Sequence, residues 1–267
     1  MTDAPESAPV LPGFLYSRAI KPILIAGLFI YFFYMVVSKT PANVAAWAVH
    51  QAAPNLWLTS VQGTLWVGNA GGAQVDVADQ SIPLGQVSWS LNPWTLLILK
   101  PCLSFETEVP GQMISGHFCQ SPFGTASLED LVLEIPISVI NDLLPIETAG
   151  QLSINVLQAD MNGQQVNSLD ARFSWQNASV YNGEAWLGLG SFGGQAQANG
   201  DGGIQARLFD LSGPFGLDLN AGWAPGTGNW IATGTVTTKP GAPRQAIQAL
   251  QIIGEEVESG TYKISWP

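Results

Sequence analysis

The residues best equipped for redox, metal or acid–base chemistry near neutral pH are few in this chain of 267 residues: Cys102, Cys119, His50 and His117. A Ser-His-Asp hydrolase would need one of those histidines beside a serine on a sharp turn, and no G-x-S-x-G sequence occurs. Neither H-E-x-x-H nor C-x-x-C is present, so a zinc site lacks its usual ligands. The phosphate loop G-x-x-x-x-G-K-[ST] is absent too. Gly188-Leu189-Gly190-Ser191-Phe192-Gly193 fits G-x-G-x-x-G, but it leads into Asn199-Gly200-Asp201-Gly202-Gly203. So glycine-rich a stretch cannot sustain the helix whose N-terminus would hold a pyrophosphate. Asp201 lacks the spaced ligands of a calcium loop. Glu255, Glu256 and Glu258 read as a solvated loop. The expectation is a protein that is not an enzyme, with no cofactor and no metal.

The cysteines have a definite reading. Pro110-Gly111 is a turn signal midway between them. Folding the chain there opposes Leu103 to Phe118, Phe105 to Gly116, Thr107 to Ile114 and Val109 to Gln112, a mostly apolar set. The intervening pairs, Ser104 with His117, Glu106 with Ser115 and Glu108 with Met113, are mostly polar. A slip of one residue would scramble both faces. The same register sets Cys102 opposite Cys119, close enough for a disulfide. An oxidising compartment is required.

The elements that would position these residues begin with an apolar run. Ile23 to Val37 is uncharged, and Pro22 suits a first helical turn. Residues 20–38 read as a transmembrane helix, short but workable if flanking side chains snorkel. The alternative, a cleaved signal peptide, would need a small-residue site soon after the run, and Ala46-Trp47-Ala48 lies too late. Arg18 and Lys21 precede the run, and Lys39 follows it. The positive-inside bias puts residues 1–19 in the cytoplasm and 39–267 outside, in the periplasm of a bacterium.

Beyond Thr40-Pro41, which looks like a helix cap with proline at the first helical position, an Ala-rich helix from about Pro41 to Gln51 is expected. Period-two alternation then takes over. Val87, Trp89 and Leu91 alternate with serines and Asn92, and Leu169, Ala171, Phe173 and Trp175 with Asp170, Arg172, Ser174 and Gln176. Such alternation marks strands with one buried face. Turn signals recur about every ten residues (Asn162-Gly163, Asn182-Gly183, Pro225-Gly226), which favours antiparallel connections. The expected fold is mainly β: a long antiparallel meander of roughly 12 to 16 strands. Short helices are expected at Pro136–Leu144 and at Pro243–Ile253, the latter capped by Gly254. Twist forces so long a sheet to curve into a sandwich, partial barrel or groove, and the sequence does not choose among them. Gly63-Thr64-Leu65 stands 26 residues before Trp89, and Gly150-Gln151-Leu152 stands 25 before Trp175. This spacing suggests two related halves, about 55–135 and 146–267.

The charge is −11 overall, and after residue 40 there are six Lys/Arg against eighteen Asp/Glu. Such a surface repels phosphate backbones, so nucleic acid is excluded as a partner. Nine tryptophans fall in the β region. Core packing accounts for most of them, and an apolar groove for lipid or a partner segment is the other reading.

One resemblance is carried by Gly63-Thr64-Leu65-Trp66-Val67-Gly68-Asn69-Ala70, that is G-T-L-W-x-G-x-A, and by Trp89, Leu91, Pro93, Leu96 and Leu97 in W-x-L-x-P-x-x-L-L. Gly213-Pro214-Phe215-Gly216 and Gly260-Thr261-Tyr262 follow. With one N-terminal anchor the chain resembles the type II secretion system protein N family (general secretion pathway protein N) over nearly its whole length. The resemblance implies a single-pass inner-membrane protein that works with other secretion subunits in exporting folded proteins across the outer membrane. It also implies a fold similar to AsmA-like envelope proteins, whose curved sheets can carry lipid. It supplies no catalytic residues.

Overall fold

A computed structural model of the chain describes residues 20–77, 80–122, 124–226 and 228–266. The tail expected to be cytoplasmic, 1–19, lies outside them. Among the described residues the alternating segments form one antiparallel sheet of fourteen strands. In chain order these are β1 (Leu56–Gly63), β2 (Val67–Val77), β3 (Gln80–Leu91), β4 (Cys102–Val109), β5 (Gln112–Gln120), β6 (Thr125–Pro136) and β7 (Thr148–Asn162). They continue as β8 (Gln165–Tyr181), β9 (Trp186–Ala198), β10 (Ile204–Ser212), β11 (Phe215–Trp223), β12 (Trp230–Thr238), β13 (Glu255–Glu258) and β14 (Thr261–Trp266). Each strand pairs with the next until the end, where β14 inserts between β12 and β13. The sheet stays open, with β1 and β13 at its edges. It runs without a break through residues 136–148, so the two sequence halves share one sheet.

Among the described residues four α-helices accompany it: α1 (Ile20–Ser38), α2 (Ala42–Ala52), α3 (Pro93–Leu97) and α4 (Arg244–Ile253). Among the described residues, no helix is long and apolar enough to cross a membrane. Helix α1 nevertheless occupies the expected segment, and its large side chains Ile23, Ile25, Leu28, Phe29 and Ile30 are exposed.

The Cys102–Cys119 disulfide is formed, with Cα atoms 4.1 Å apart. Every pair from Cys102–Cys119 to Val109–Gln112 has the register expected from the Pro110-Gly111 turn. Gly111 has φ +78°, the left-handed value that a Pro-Gly type II turn needs at its second central position.

Several local expectations are corrected. Thr40 does not cap α2: its hydroxyl donates to the Val36 carbonyl at 3.2 Å, turning back onto α1, and Pro41 takes the cap position. The segment at Ile137–Leu143 is a 3₁₀ helix. The Asn141 side chain is drawn off to Thr148 at the start of β7, accepting from its N–H at 3.0 Å and donating to its carbonyl at 2.9 Å. Gly254 is extended (φ −123°) rather than left-handed, because the chain passes straight from α4 into β13. Glu255, Glu256 and Glu258 therefore lie on an edge strand, where short length and charge discourage pairing with another sheet. Gly188–Gly193 lies within β9, at a place where Gly190 has φ +109° and the register against β8 shifts, and no helix follows it. Helix α3 was not expected.

Candidate docking face

Directly paired residues on neighbouring strands project to the same side of a sheet. One row of such pairs runs Val61, Ala70, Val87, Thr107, Ile114, Leu133, Ile154, Phe173, Gly194, Leu208, Leu219, Gly234, Ile264. It crosses thirteen strands, and its one polar side chain, Thr107, is buried and accepts from the Ile114 N–H at 3.2 Å. The adjacent row, one residue along every strand, runs Gln62, Asn69, Ser88, Glu106, Ser115, Val132, Asn155, Arg172, Gln195, Arg207, Asn220, Thr233, Ser265. Only Val132 there is apolar. The sheet thus has one oily face and one wet face along its whole width. The glycines in the apolar row make room for rings and branches. A Cβ on Gly194 would stand 2.1 Å from Cζ of Phe173.

Two helices lie over the oily face, one toward each end. Helix α2 is Ala-rich, so its backbone comes close: Ala42 and Ala70 are buried against Trp89, with Leu58, Val61 and Leu103 around them. Beside it opens a groove of about 520 Å³ lined by Ala48, Ala52, Leu65, Leu91, Phe105 and Phe118 among others. Helix α4 borders a second groove of about 550 Å³, between Ala246, Ala249, Leu250 and Ile253 on the helix and Phe173, Trp175, Leu208, Leu217 and Val236 on the sheet. Such concave, apolar walls suit an acyl chain or an apolar peptide face. Near the rim of the second groove, Asp210 accepts from the Lys239 ammonium at 2.6 Å and from the Leu217 N–H at 3.0 Å. These bonds, with that of Lys239 first, hold its carboxyl below the usual carboxylate range. On β7, Asp160 is lowered likewise by hydrogen bonds from Ser168 and Gln158.

The motif residues converge on the junction between α1, α2 and the sheet. Gly63 has φ +93°, and a Cβ there would meet the Val67 carbonyl oxygen at 2.6 Å. The turn it opens carries Leu65, whose N–H donates to the Thr40 carbonyl at 2.8 Å, and Trp66, whose indole donates to the Val37 carbonyl at 2.8 Å. Gly68 makes room for Trp89, since a Cβ would stand 2.5 Å from that ring. Ala70 is fully buried beneath α2. Trp89 in turn donates to the Leu65 carbonyl at 3.3 Å, and the Leu91 N–H to the Trp66 carbonyl at 2.7 Å. Asn92 caps α3 by accepting from the Trp94 N–H, and Pro93 takes the first helical position. Thr95 donates to the Asn92 carbonyl at 2.7 Å and accepts from the Cys102 N–H at 3.1 Å, which ties the motif to the disulfide. Leu96 is exposed, and Leu97 ends α3. In the second half Trp175 donates to the Ala149 carbonyl at 3.1 Å, a bond of the same kind at the base of the β7–β8 hairpin.

The histidines lie apart from one another. His50 on α2 contacts the Trp57 ring, centroids 4.7 Å apart, while His117 pairs with Ser104 on the wet face. Among the described residues, no group of three or more His, Cys, Asp or Glu is placed to hold a metal ion. The sequence offers an apolar groove walled by tryptophans as one reading, and Trp89 and Trp175 do line the two grooves, but it does not say which elements cover them. Their signal was there in the small residues of α2 and the apolar stripe of α4, but the helices' position over the sheet was not.

A family described as "Type II secretion system (T2SS), protein N" matches residues 54–265. The "Type II secretion system protein N" of Aeromonas hydrophila is 30% identical over 173 residues, 60% of this chain and 64% of that protein, so the chain spans somewhat less than two thirds of this relative. No solved structure matches. With the family's own pattern running from just before β1 into β14, the chain belongs to the type II secretion system protein N family.

Proposed function

We propose that this chain is an accessory or assembly component of the type II secretion system that supports export of folded proteins across the outer membrane without being an enzyme. The observation that carries this reading is the row across thirteen strands, apolar but for the buried Thr107 and only partly covered by α2 and α4. Its larger side chains, Leu133, Ile154, Phe173 and Leu208 among them, are half-buried, and a half-covered apolar surface of that extent marks an interaction site. Other secretion subunits are the partners in this reading, and no nucleic acid is involved.

Helix α1 is the proposed inner-membrane anchor, single-pass, with residues 1–19 in the cytoplasm and the sheet in the periplasm. Its apolar side chains are exposed at consecutive positions from Ile23 to Phe32, hence on every side, as suits a helix bathed in lipid. Its 19 residues extend about 28 Å, short of the hydrocarbon thickness of about 30 Å, so in this reading flanking side chains snorkel or the bilayer thins locally. The disulfide fits an oxidising compartment.

A second reading, an AsmA-like lipid-binding or lipid-transfer protein, is favoured by the two apolar grooves. Purification of the full chain from membranes separates the two. Secretion subunits that co-purify, and leave when a lysine replaces Leu133, support the first. Phospholipid retained stoichiometrically, with normal secretion in a deletion strain, supports the second.

A further inference from the structure

The end of β3 carries an apolar knuckle that neither the groove nor the core uses. From Leu91 to Leu99 the chain has no charge. Trp94 is 74% exposed, Ile98 71% and Leu99 61%. Side chains this large are rarely left together in water by a local segment that is hydrogen-bonded into place. The knuckle is so bonded: Asn92 and Thr95 fix both its ends, as described above, and the Lys100 N–H donates to the Thr95 carbonyl at 3.0 Å.

Its location says what covers it. The Trp66 carbonyl holds Leu91, two residues before α3, while the Trp66 indole holds Val37 in the last turn of α1. One residue therefore joins the base of the knuckle to the exit of the helix. Charge agrees with that place. The chain has 20 acidic residues, yet none lies in 39–75 or 80–105, while Lys39 and Lys100 flank the exit and the knuckle.

We infer that the Trp94–Leu99 knuckle inserts into the interfacial layer of the bilayer beside α1, a second membrane contact that fixes the tilt of the sheet on the membrane. Tryptophan favours that layer, and lysine beside it can reach the headgroups. The absence of acidic groups nearby spares repulsion from anionic lipid. This rests on the reading of α1 as the anchor.

The test uses the full chain with its disulfide intact, in vesicles of phosphatidylethanolamine and phosphatidylglycerol. A nitroxide is attached singly at Ile98→Cys, at Ile30→Cys in α1, or at Met113→Cys near the Pro110-Gly111 turn. Collision with dissolved oxygen is compared with collision with a water-soluble nickel chelate. The label at 98 should lose its chelate collisions relative to that at 113 and gain oxygen collisions. Labels at 98 and 113 equally open to the chelate, with that at 30 shielded, would overturn the knuckle and leave the anchor standing. Shielding at 98 without shielding at 30 would overturn the anchor and, with it, the placement of the knuckle beside α1 as a second contact. Labels at both 98 and 30 open to the chelate would overturn both.

Discussion

The indole N–H of Trp66 donates to the carbonyl oxygen of Val37 at 2.8 Å. The final carbonyls of a helix have no partner within it, so here a residue of the first β-turn satisfies one of them. The same tryptophan accepts from Leu91 through its own carbonyl. The angle between α1 and the sheet is thereby set by contacts and not left to the short linker at residues 39–41.

Trp66→Phe keeps a six-membered aromatic ring but removes the donor together with the smaller ring of the indole. It should cost about 1 kcal/mol, the usual net value of one hydrogen bond. A lower melting temperature for the detergent-solubilised chain, with unchanged far-ultraviolet circular dichroism, is the expected result.

Replacing both Cys102 and Cys119 by serine opens a loop with a sequence separation of 17. The chain-entropy model puts the loss at about 3 kcal/mol. Denaturant unfolding of the oxidised protein and the double variant measures it. The native protein should also present no thiol to a maleimide under denaturing, non-reducing conditions.

Two glycines of β9 should respond differently to one methyl group. A Cβ on Gly194 strikes the Phe173 ring, whereas one on Gly188 meets nothing within 4 Å. Gly194→Ala should therefore destabilise by about 1–3 kcal/mol through overpacking, and Gly188→Ala should leave the melting temperature nearly unchanged.

Asp210 titrates below the ordinary value of 3.8 because Lys239 and the Leu217 N–H favour its charged form. A lowered carboxylate stabilises the fold above the unfolded-state value and loses that contribution as pH falls through the folded value. Asp210→Asn should thus be less stable than the wild type at pH 7. The gap should close as the pH is taken below 3.8. Both side chains are partly exposed, so the gap at pH 7 should be under about 1 kcal/mol. Melting temperatures of the two proteins across that range test it.

Where a pattern was local, the sequence disclosed it. The Pro110-Gly111 turn fixed the β4–β5 register, and with it the disulfide, because period-two alternation leaves one register with apolar residues together. The strands around Trp89 and Phe173 were visible for the same reason. Helix α3 was hidden because five residues hold too little periodicity, and only the Asn92 cap announces it. Strand β13 was hidden because its glutamates resemble a solvated loop. The continuity of the apolar face was out of reach. It depends on shifts in register, such as that between Ser115 and His117 opposite β6, which return later residues to the same side.

The central claim is that the apolar face of the sheet serves protein export. Secretion of a type II substrate by a strain lacking this gene, complemented with the wild type or with Leu133→Lys, tests it most directly. Leu133 lies mid-row between Ile114 and Ile154. A purified variant with native circular dichroism and an intact disulfide establishes that the sheet survives the lysine. The account predicts that the deletion lowers secretion, that the wild type restores it and that the folded lysine variant does not. Full secretion in the deletion strain, or full rescue by the variant, would contradict it.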